Sequence, residues 1–441
     1  MDYVVMLGQL FLSLSILIVL HEMGHFFPAK WFNTRVEKFY LFFDPYFSLF
    51  KYTKNGTEYG IGWLPLGGYV KIAGMIDESM DREQMKQPPQ PWEFRSKPAW
   101  QRLIIMLGGV TVNFILGFLI WGLMLWNWGS TFIPAKNATY GIVVDSLGMQ
   151  LGLQDGDKVL QIGDIPFTKF NPGILKREVV VNNATSIKVE RNGSNKVLPI
   201  DPKFTDILSR HENKNMRIFT YRYPFELDSV VVGLPAHKAG FKKGDKVVAI
   251  NGIATPFYHQ FHKVVQDFKG KVVTLAVDRG GQRLDIKVPL SETGTIGVTR
   301  QGPALEREEY TLAQALPAGV TNGVDFLSVQ IKAFAQMFRG KIKASESLGG
   351  FGSIAGMFGY SWDWERFWKM TAILSLILGF MNLLPIPALD GGHVMFLLYE
   401  IISGRKPSDK FMEYATIVGF VLLIGLMLYA NGLDIVRKWF S

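Results

Sequence analysis

Four stretches of the chain lack the regular polar spacing of a water-soluble domain. The first covers Tyr3 to Leu20 and continues through His21-Glu22-Met23-Gly24-His25 to Ala29; the others run from Leu103 to Trp128, from Phe367 to Leu389, and from Ala415 to Ala430 with its flanks. A helix needs about 20 apolar residues to cross a hydrocarbon core about 30 Å thick, so the pattern predicts four transmembrane helices. Between the second and third runs, about 240 residues change character. There, apolar and polar positions alternate between turn residues, which is the period of strands. The fold class expected is an α-helical membrane protein with two inserted β-rich domains of α+β type.

Two inserted domains are expected because the middle segment repeats itself. Gly152-Leu-Gln-Asp-Gly-Asp-Lys-Val-Leu-Gln-Ile-Gly-Asp-Ile165 lines up with Gly240-Phe-Lys-Lys-Gly-Asp-Lys-Val-Val-Ala-Ile-Asn-Gly-Ile253, 88 residues later. A period that long implies two copies of a domain, not a solenoid. Each Gly-Asp pair suits a tight turn feeding a strand, and Asn251-Gly252 suits a second turn with positive φ. The second copy, with Leu234-Pro235-Ala236 ahead of its repeat, resembles PDZ domains; the first resembles them less. The boundaries expected are a membrane catalytic segment at 1–134, PDZ-like domains at 135–222 and 223–300, an amphipathic connecting region at 301–360 and a second membrane catalytic segment at 361–441. PDZ folds add an extended peptide to a sheet edge; a spacer or steric filter is the alternative reading. In the connecting region Val320, Val324, Leu327, Ile331, Phe334 and Phe338 share one helix face, suited either to the membrane surface or to packing on the repeats.

Composition supports the membrane reading, with 48% hydrophobic and only 19% charged residues in 441. Charge then sets the orientation. Met23 to Arg102 carries eleven Lys or Arg, and Arg405, Lys406 and Lys410 follow the third run. The positive-inside rule places both stretches in the cytoplasm. Both termini and the PDZ-like domains are then periplasmic in a multi-pass inner-membrane protein, with Trp126, Trp128, Trp362, Trp364 and Trp368 in the outer interfacial belt. No basic residue precedes the first run, and cleavage after it would discard its histidines, so it reads as an uncleaved helix and not a signal peptide. The net charge of +9 is spread among loops without interleaved stacking aromatics, which argues against a nucleic-acid partner. With no cysteine, disulfides, thiol catalysis and Cys-ligated zinc are excluded.

Chemistry concentrates at the inner end of the first run. Histidines four apart share a helix face about one turn from each other, so His21 and His25 can both address one Zn²⁺. Glu22, rotated by about 100°, is placed to handle the attacking water. Ionisable groups inside a span are expensive, about 2.5 kcal/mol or more near the centre, and are functional by default. A catalytic zinc usually takes three protein ligands. His211, His237, His259 and His262 lie in the outer segment, which leaves Asp390 in Asn382-Leu-Leu-Pro-Ile-Pro-Ala-Leu-Asp-Gly-Gly-His393. Runs one and three cross in the same direction, so His21, His25 and Asp390 share a depth. Pro385 and Pro387 should interrupt the helix, and Gly391-Gly392 should permit a tight turn. Asn382 could hold a substrate carbonyl or oxyanion, or serve only in packing. His393 reads as a bystander, and Asn113 either faces the site or bonds between helices.

The H-E-x-x-H of the first run, the N-x-x-P-x-P-x-L-D-G-G of the third and the repeats between them resemble the site-2 protease family, and most closely its Gram-negative sigma-E-regulating branch. The resemblance implies one zinc per chain held by His21, His25 and Asp390, with Glu22 catalytic. It also implies substrates that are single-span membrane proteins such as an anti-sigma factor, together with signal-peptide remnants. Asn55-Gly56 marks a hairpin between strands, and Ile61 to Ile72 resembles the family's re-entrant β segment. Gly67, Gly68 and Tyr69 would there join Asn382 and Pro385 in binding substrate. A membrane adaptor without catalysis, and a zincin with a cytosolic site, are the rival readings.

Overall fold

The computed structural model describes residues 2–65, 67–75, 87–213 and 216–440. It divides into two compact units: Met1–Gly129 with Glu309–Ile331 and Leu348–Ser441, and Ser130–Glu308 with Lys332–Ser347.

The first unit is built on helices. Helix α1 (Asp2–Trp31) continues unbroken through the His-Glu motif. After a four-stranded sheet comes α2 (Ala99–Trp128), and the chain later supplies α3 (Leu312–Phe338, of which the part up to Ile331 belongs to this unit), α4 (Phe351–Phe358), α5 (Trp364–Leu383), α6 (Asp390–Ser403) and α7 (Asp409–Phe440). Among the described residues, three stretches are long and apolar enough to cross a membrane: Tyr3–Trp31, Ala99–Trp128 and Lys410–Arg437. The remaining expected span, Phe367 to Leu389, is α5. Its 20 residues begin with Glu365, Arg366 and Lys369 and stop six residues early, because Leu384 precedes Pro385 and takes the extended conformation that a following proline imposes.

Polar contacts set the helix directions. His25 meets Ile105 and His21 meets Asn113, so α2 runs antiparallel to α1. Ser13 meets Thr371 and His21 meets Asn382, so α5 runs parallel to it. The histidines and the end of α5 therefore reach the same level. Glycine brings α1 and α2 together: a Cβ on Gly24 would strike the Gly108 backbone, and one on Gly108 would strike Gly24.

The sheet comprises β1 (Val36–Leu41), β2 (Phe43–Lys54), β3 (Thr57–Leu64) and β4 (Tyr69–Ile72), in the order β2-β3-β1-β4. Strands β2 and β3 form the expected hairpin, with Asn55 and Gly56 at φ 52° and 76°. Strand β1 joins β3 in parallel and β4 antiparallel, which leaves β4 an edge.

Helix α3 turns Ala315, Gly319 and Gly323 towards α2, where Gly122 and Phe118 receive them. Small residues win that face because they let the backbones approach. The larger stripe points outward, with Val320, Val324 and Ile331 exposed.

The second unit contains two β-rich halves with separate cores, one around Val159, Leu175, Val189 and Phe204, the other around Val247, Phe261, Leu275 and Val277. Strands Lys158–Ile162 and Lys246–Ile250 begin 88 residues apart. The Gly-Asp turns match as well. Asp157 accepts from the Gln154 amide and from Arg191, and Asp245 accepts from the Lys242 amide and from Arg279, each arginine making two bonds of 2.7–2.8 Å. Each arginine also donates to a carbonyl, Gly152 or Gly240. Every partner in one copy lies 88 residues from its counterpart, so the repeat extends to buried ion pairs. Asn251 and Gly252 take the expected positive φ, 48° and 81°.

Candidate metal centre and active site

Three donors meet where α1, α2 and the start of α6 converge. His21 Nε2 and His25 Nε2 are 3.3 Å apart, and each lies 3.4 Å from Asp390 Oδ2. Among the described residues this is the one group of three or more His, Asp or Glu side chains close enough to hold a metal ion. Ligands about 2.0–2.1 Å from a tetrahedral zinc stand about 3.3–3.4 Å from one another, so the three edges fit that ion. Asp390 Oδ2 is buried and has no hydrogen-bond partner, an arrangement that is costly unless a cation completes it.

Local sequence explains how each donor arrives. The helical repeat carries His21 and His25 to one face of α1, their rings edge to face at 4.9 Å. His25 Nδ1 lies 2.8 Å from the Ile105 carbonyl of α2; since a carbonyl only accepts, Nδ1 carries the proton and Nε2 keeps its lone pair. Gly109 stands between, where a Cβ would strike both imidazoles. Asp390 is the first residue of α6, after a bend through Leu384-Pro385-Ile386-Pro387-Ala388-Leu389. The positive φ of that bend falls on Ala388, at 103°, and not on Gly391-Gly392 as expected. The two glycines are helical, and their role is clearance: a Cβ on either would strike the backbone of residues 383–387.

Glu22 is buried beside this cluster, with the Val70 backbone amide and Gly68 against it. Gly68 itself packs on Ile18 and the Tyr40 carbonyl, so edge strand β4 lies alongside the Ile18–Glu22 side of α1. Gly67 has φ 149° and rests against the Phe43 ring. Tyr69 turns elsewhere: its hydroxyl donates to Asp44 Oδ1 at 2.8 Å, and its ring stacks between Tyr40 and Phe43. Burial pushes the Tyr40 hydroxyl up to about 12 and raises that of Tyr69 as well, so both stay neutral donors, Tyr40 to Glu58. Asn382 Nδ2 lies 3.4 Å from His21 Nε2, while Pro385 lies in the bend that delivers Asp390. His393, one turn into α6, faces Phe396 and a small cavity that the Arg102–Glu400 pair also lines. Sequence reasoning left Asn113 undecided; the structure puts its amide 3.1 Å from His21 Nδ1. The signal available was an amide in the middle of a helix whose central turns are otherwise apolar apart from Thr111.

The comparison with known families decides the assignment: the model of peptidase family M50 matches residues 9–426. The chain belongs to this family, the site-2 proteases. The regulator of sigma E protease of Haemophilus influenzae is 25% identical over 475 residues, covering 99% of this chain and all of that protein. The protein of the same name from Salmonella typhimurium is 28% identical over 448 residues, covering 96% of each chain. A relative from Vibrio cholerae, 26% identical over 453 residues and covering 97% of each, carries a zinc-metalloprotease name. This M50 chain is thus a zinc metalloprotease, and three of its described helices are long and apolar enough to span a membrane.

Proposed function

We propose that this M50 chain is an endopeptidase that hydrolyses peptide bonds within the transmembrane segments of single-span membrane proteins, using one zinc held by His21, His25 and Asp390. The observation that carries this reading is the 3.3–3.4 Å triangle of donors, two from α1 and one from the start of α6. When bound, zinc supplies a Lewis acid that polarises the scissile carbonyl and makes water more acidic. The protein does the rest. Glu22, buried beside the donors, accepts the proton of the attacking water and passes it to the nitrogen of the departing amine. Asn382 offers an amide N–H next to the same centre, where it steadies the carbonyl oxygen as charge develops.

A transmembrane substrate arrives as a helix whose peptide bonds are hidden, so it must be unwound and held. Edge strand β4, led in by Gly67 and Gly68 beside Glu22, suits pairing with an extended substrate strand. A strand edge at membrane depth is tolerated where it lines a protein cavity. Tyr69 serves that edge by anchoring it to Asp44 rather than by reaching the substrate.

The substrate class includes an anti-sigma factor, a reading supported by the sigma-E-regulating names of the relatives in Haemophilus and Salmonella; signal-peptide remnants enter only through the family resemblance. On this reading the chain crosses an inner membrane four times, counting α5, with both termini and the two repeats periplasmic and the site near the cytoplasmic face; the basic residues of 23–102 and 405–410 support it. The repeats are tandem PDZ-like domains, a reading supported by the duplicated Gly-Asp turns and Arg–Asp pairs.

The deciding experiment is reconstitution of the purified chain with a single-span substrate, comparing wild type with Glu22→Gln. The variant should keep its fold and its zinc and lose cleavage by at least about a hundredfold, the lower end of what a positioned acid–base group contributes. Unimpaired cleavage by Glu22→Gln would remove Glu22 from the mechanism.

A further inference from the structure

The two proposed histidine ligands are not equally accounted for. For Nε2 to bind a cation, Nδ1 of the same ring must carry the proton and give it to an acceptor. His25 has one, the Ile105 carbonyl. The Nδ1 of His21 instead faces the side-chain amide of Asn113, and there the pairing is unsettled. With Nδ2 towards the ring at 3.1 Å, a donor confronts a donor, while Asn113 Oδ1 is left buried with no partner at all. The nitrogen and oxygen of an amide exchange places by a half-turn of the side chain. After that turn Oδ1 faces Nδ1–H, and the donor–donor contact becomes a hydrogen bond.

We infer that Asn113 is the positioning residue for His21: its side-chain oxygen accepts from Nδ1–H, fixes the tautomer, and presents Nε2 to the metal. Three features keep the side chain in place. Asn113 is 1% exposed, its carbonyl receives a 2.7 Å bond from Ser375 Oγ, and its Cβ lies against Gly379, where a side chain would crowd it. Ile105, Gly109 and Asn113 follow one another at four-residue intervals on one face of α2. That ridge carries, in order, an acceptor for His25, a gap for both rings and an acceptor for His21. Helix α2 contributes no ligand, yet it orients two of the three.

The inference rests on His21 being a ligand, so the test measures both. Zinc affinity is read by chelator competition on the purified full-length chain, with the unfolding temperature of the zinc-free protein as a control for folding. Asn113→Leu keeps the shape and removes the acceptor; Asn113→Asp keeps the shape and supplies acceptor oxygens. Asn113→Leu should bind zinc about 10- to 100-fold more weakly, the usual effect of removing a ligand's orienting partner. Asn113→Asp should recover most of that loss, and a purely packing role would not distinguish the two. If Asn113→Leu binds zinc as tightly as wild type, or Asn113→Asp binds no better than Asn113→Leu, the inference is overturned. His21→Ala and Asp390→Ala run alongside. Should either keep its full zinc affinity, the ligand set itself is wrong, and Asn113 loses its role with it.

Discussion

Asp390 carries the sharpest demand on a single side chain, because its buried Oδ2 has no hydrogen-bond partner and faces only the two imidazole Nε2 atoms at 3.4 Å. Asp390→Asn replaces a charged donor with a neutral amide of the same shape and should weaken zinc binding by at least about tenfold, as read from metal content after dialysis against a chelator. Unchanged content would send the search to another ligand. At this scale the sequence was legible wherever one regular element decides the outcome. His21 and His25 share a face because helices repeat every 3.6 residues, and Asp390 follows from the depth at which runs one and three end. Asn113 was not legible in the same way. Its partner depends on how closely α2 approaches α1, and that approach is set by Gly24, Gly108 and Gly109 meeting in space, which no spacing within either helix encodes.

At the scale of elements, the α1–α2 contact leaves no room for a methyl group. Gly108→Ala should force the helix backbones apart, cost about 1–3 kcal/mol of stability and lower zinc retention with it, measured by thermal unfolding and metal content in detergent. The duplicated repeats make a second prediction. Burial works against the Asp245 carboxylate, but Arg279 and the Lys242 amide hold its pKa below the ordinary value. A carboxyl group depressed in the folded state contributes stability that is present above its unfolded pKa and is lost as pH falls through the folded one. Hydrogen exchange across 225–300, corrected for its intrinsic pH dependence, should therefore lose protection as pH drops below about 4. Arg279→Met should blunt that dependence. Strand alternation and turn residues made the repeats readable in advance. The order β2-β3-β1-β4 was not readable, because parallel pairing of β1 with β3 is a long-range choice, and neither was the outward turn of the α3 stripe, because small residues outcompete large ones where two backbones must approach.

For the whole molecule, the proposed topology can be checked with unusual economy, since the chain has no cysteine. Asn192→Cys lies in the tight turn between strands of the first repeat, and Ser408→Cys lies just before α7; both positions are exposed. In intact cells a membrane-impermeant maleimide should label the first and spare the second until the membrane is opened. The reverse pattern would invert the topology and move the site towards the periplasmic face.

The convergence of α1 with the start of α6 has a consequence beyond chemistry. Residues 25 and 390 are separated by more than 360 positions, and the entire repeat-bearing unit lies within that interval. A cation shared between them, as proposed, would act as a clasp closing a very long loop, and closure costs grow only slowly with loop length. Occupancy of the proposed site would therefore contribute to the integrity of the helical unit as well as to the reaction. Stripping the metal should loosen α5 and α6 before it disturbs the β-rich repeats, whose cores close on themselves.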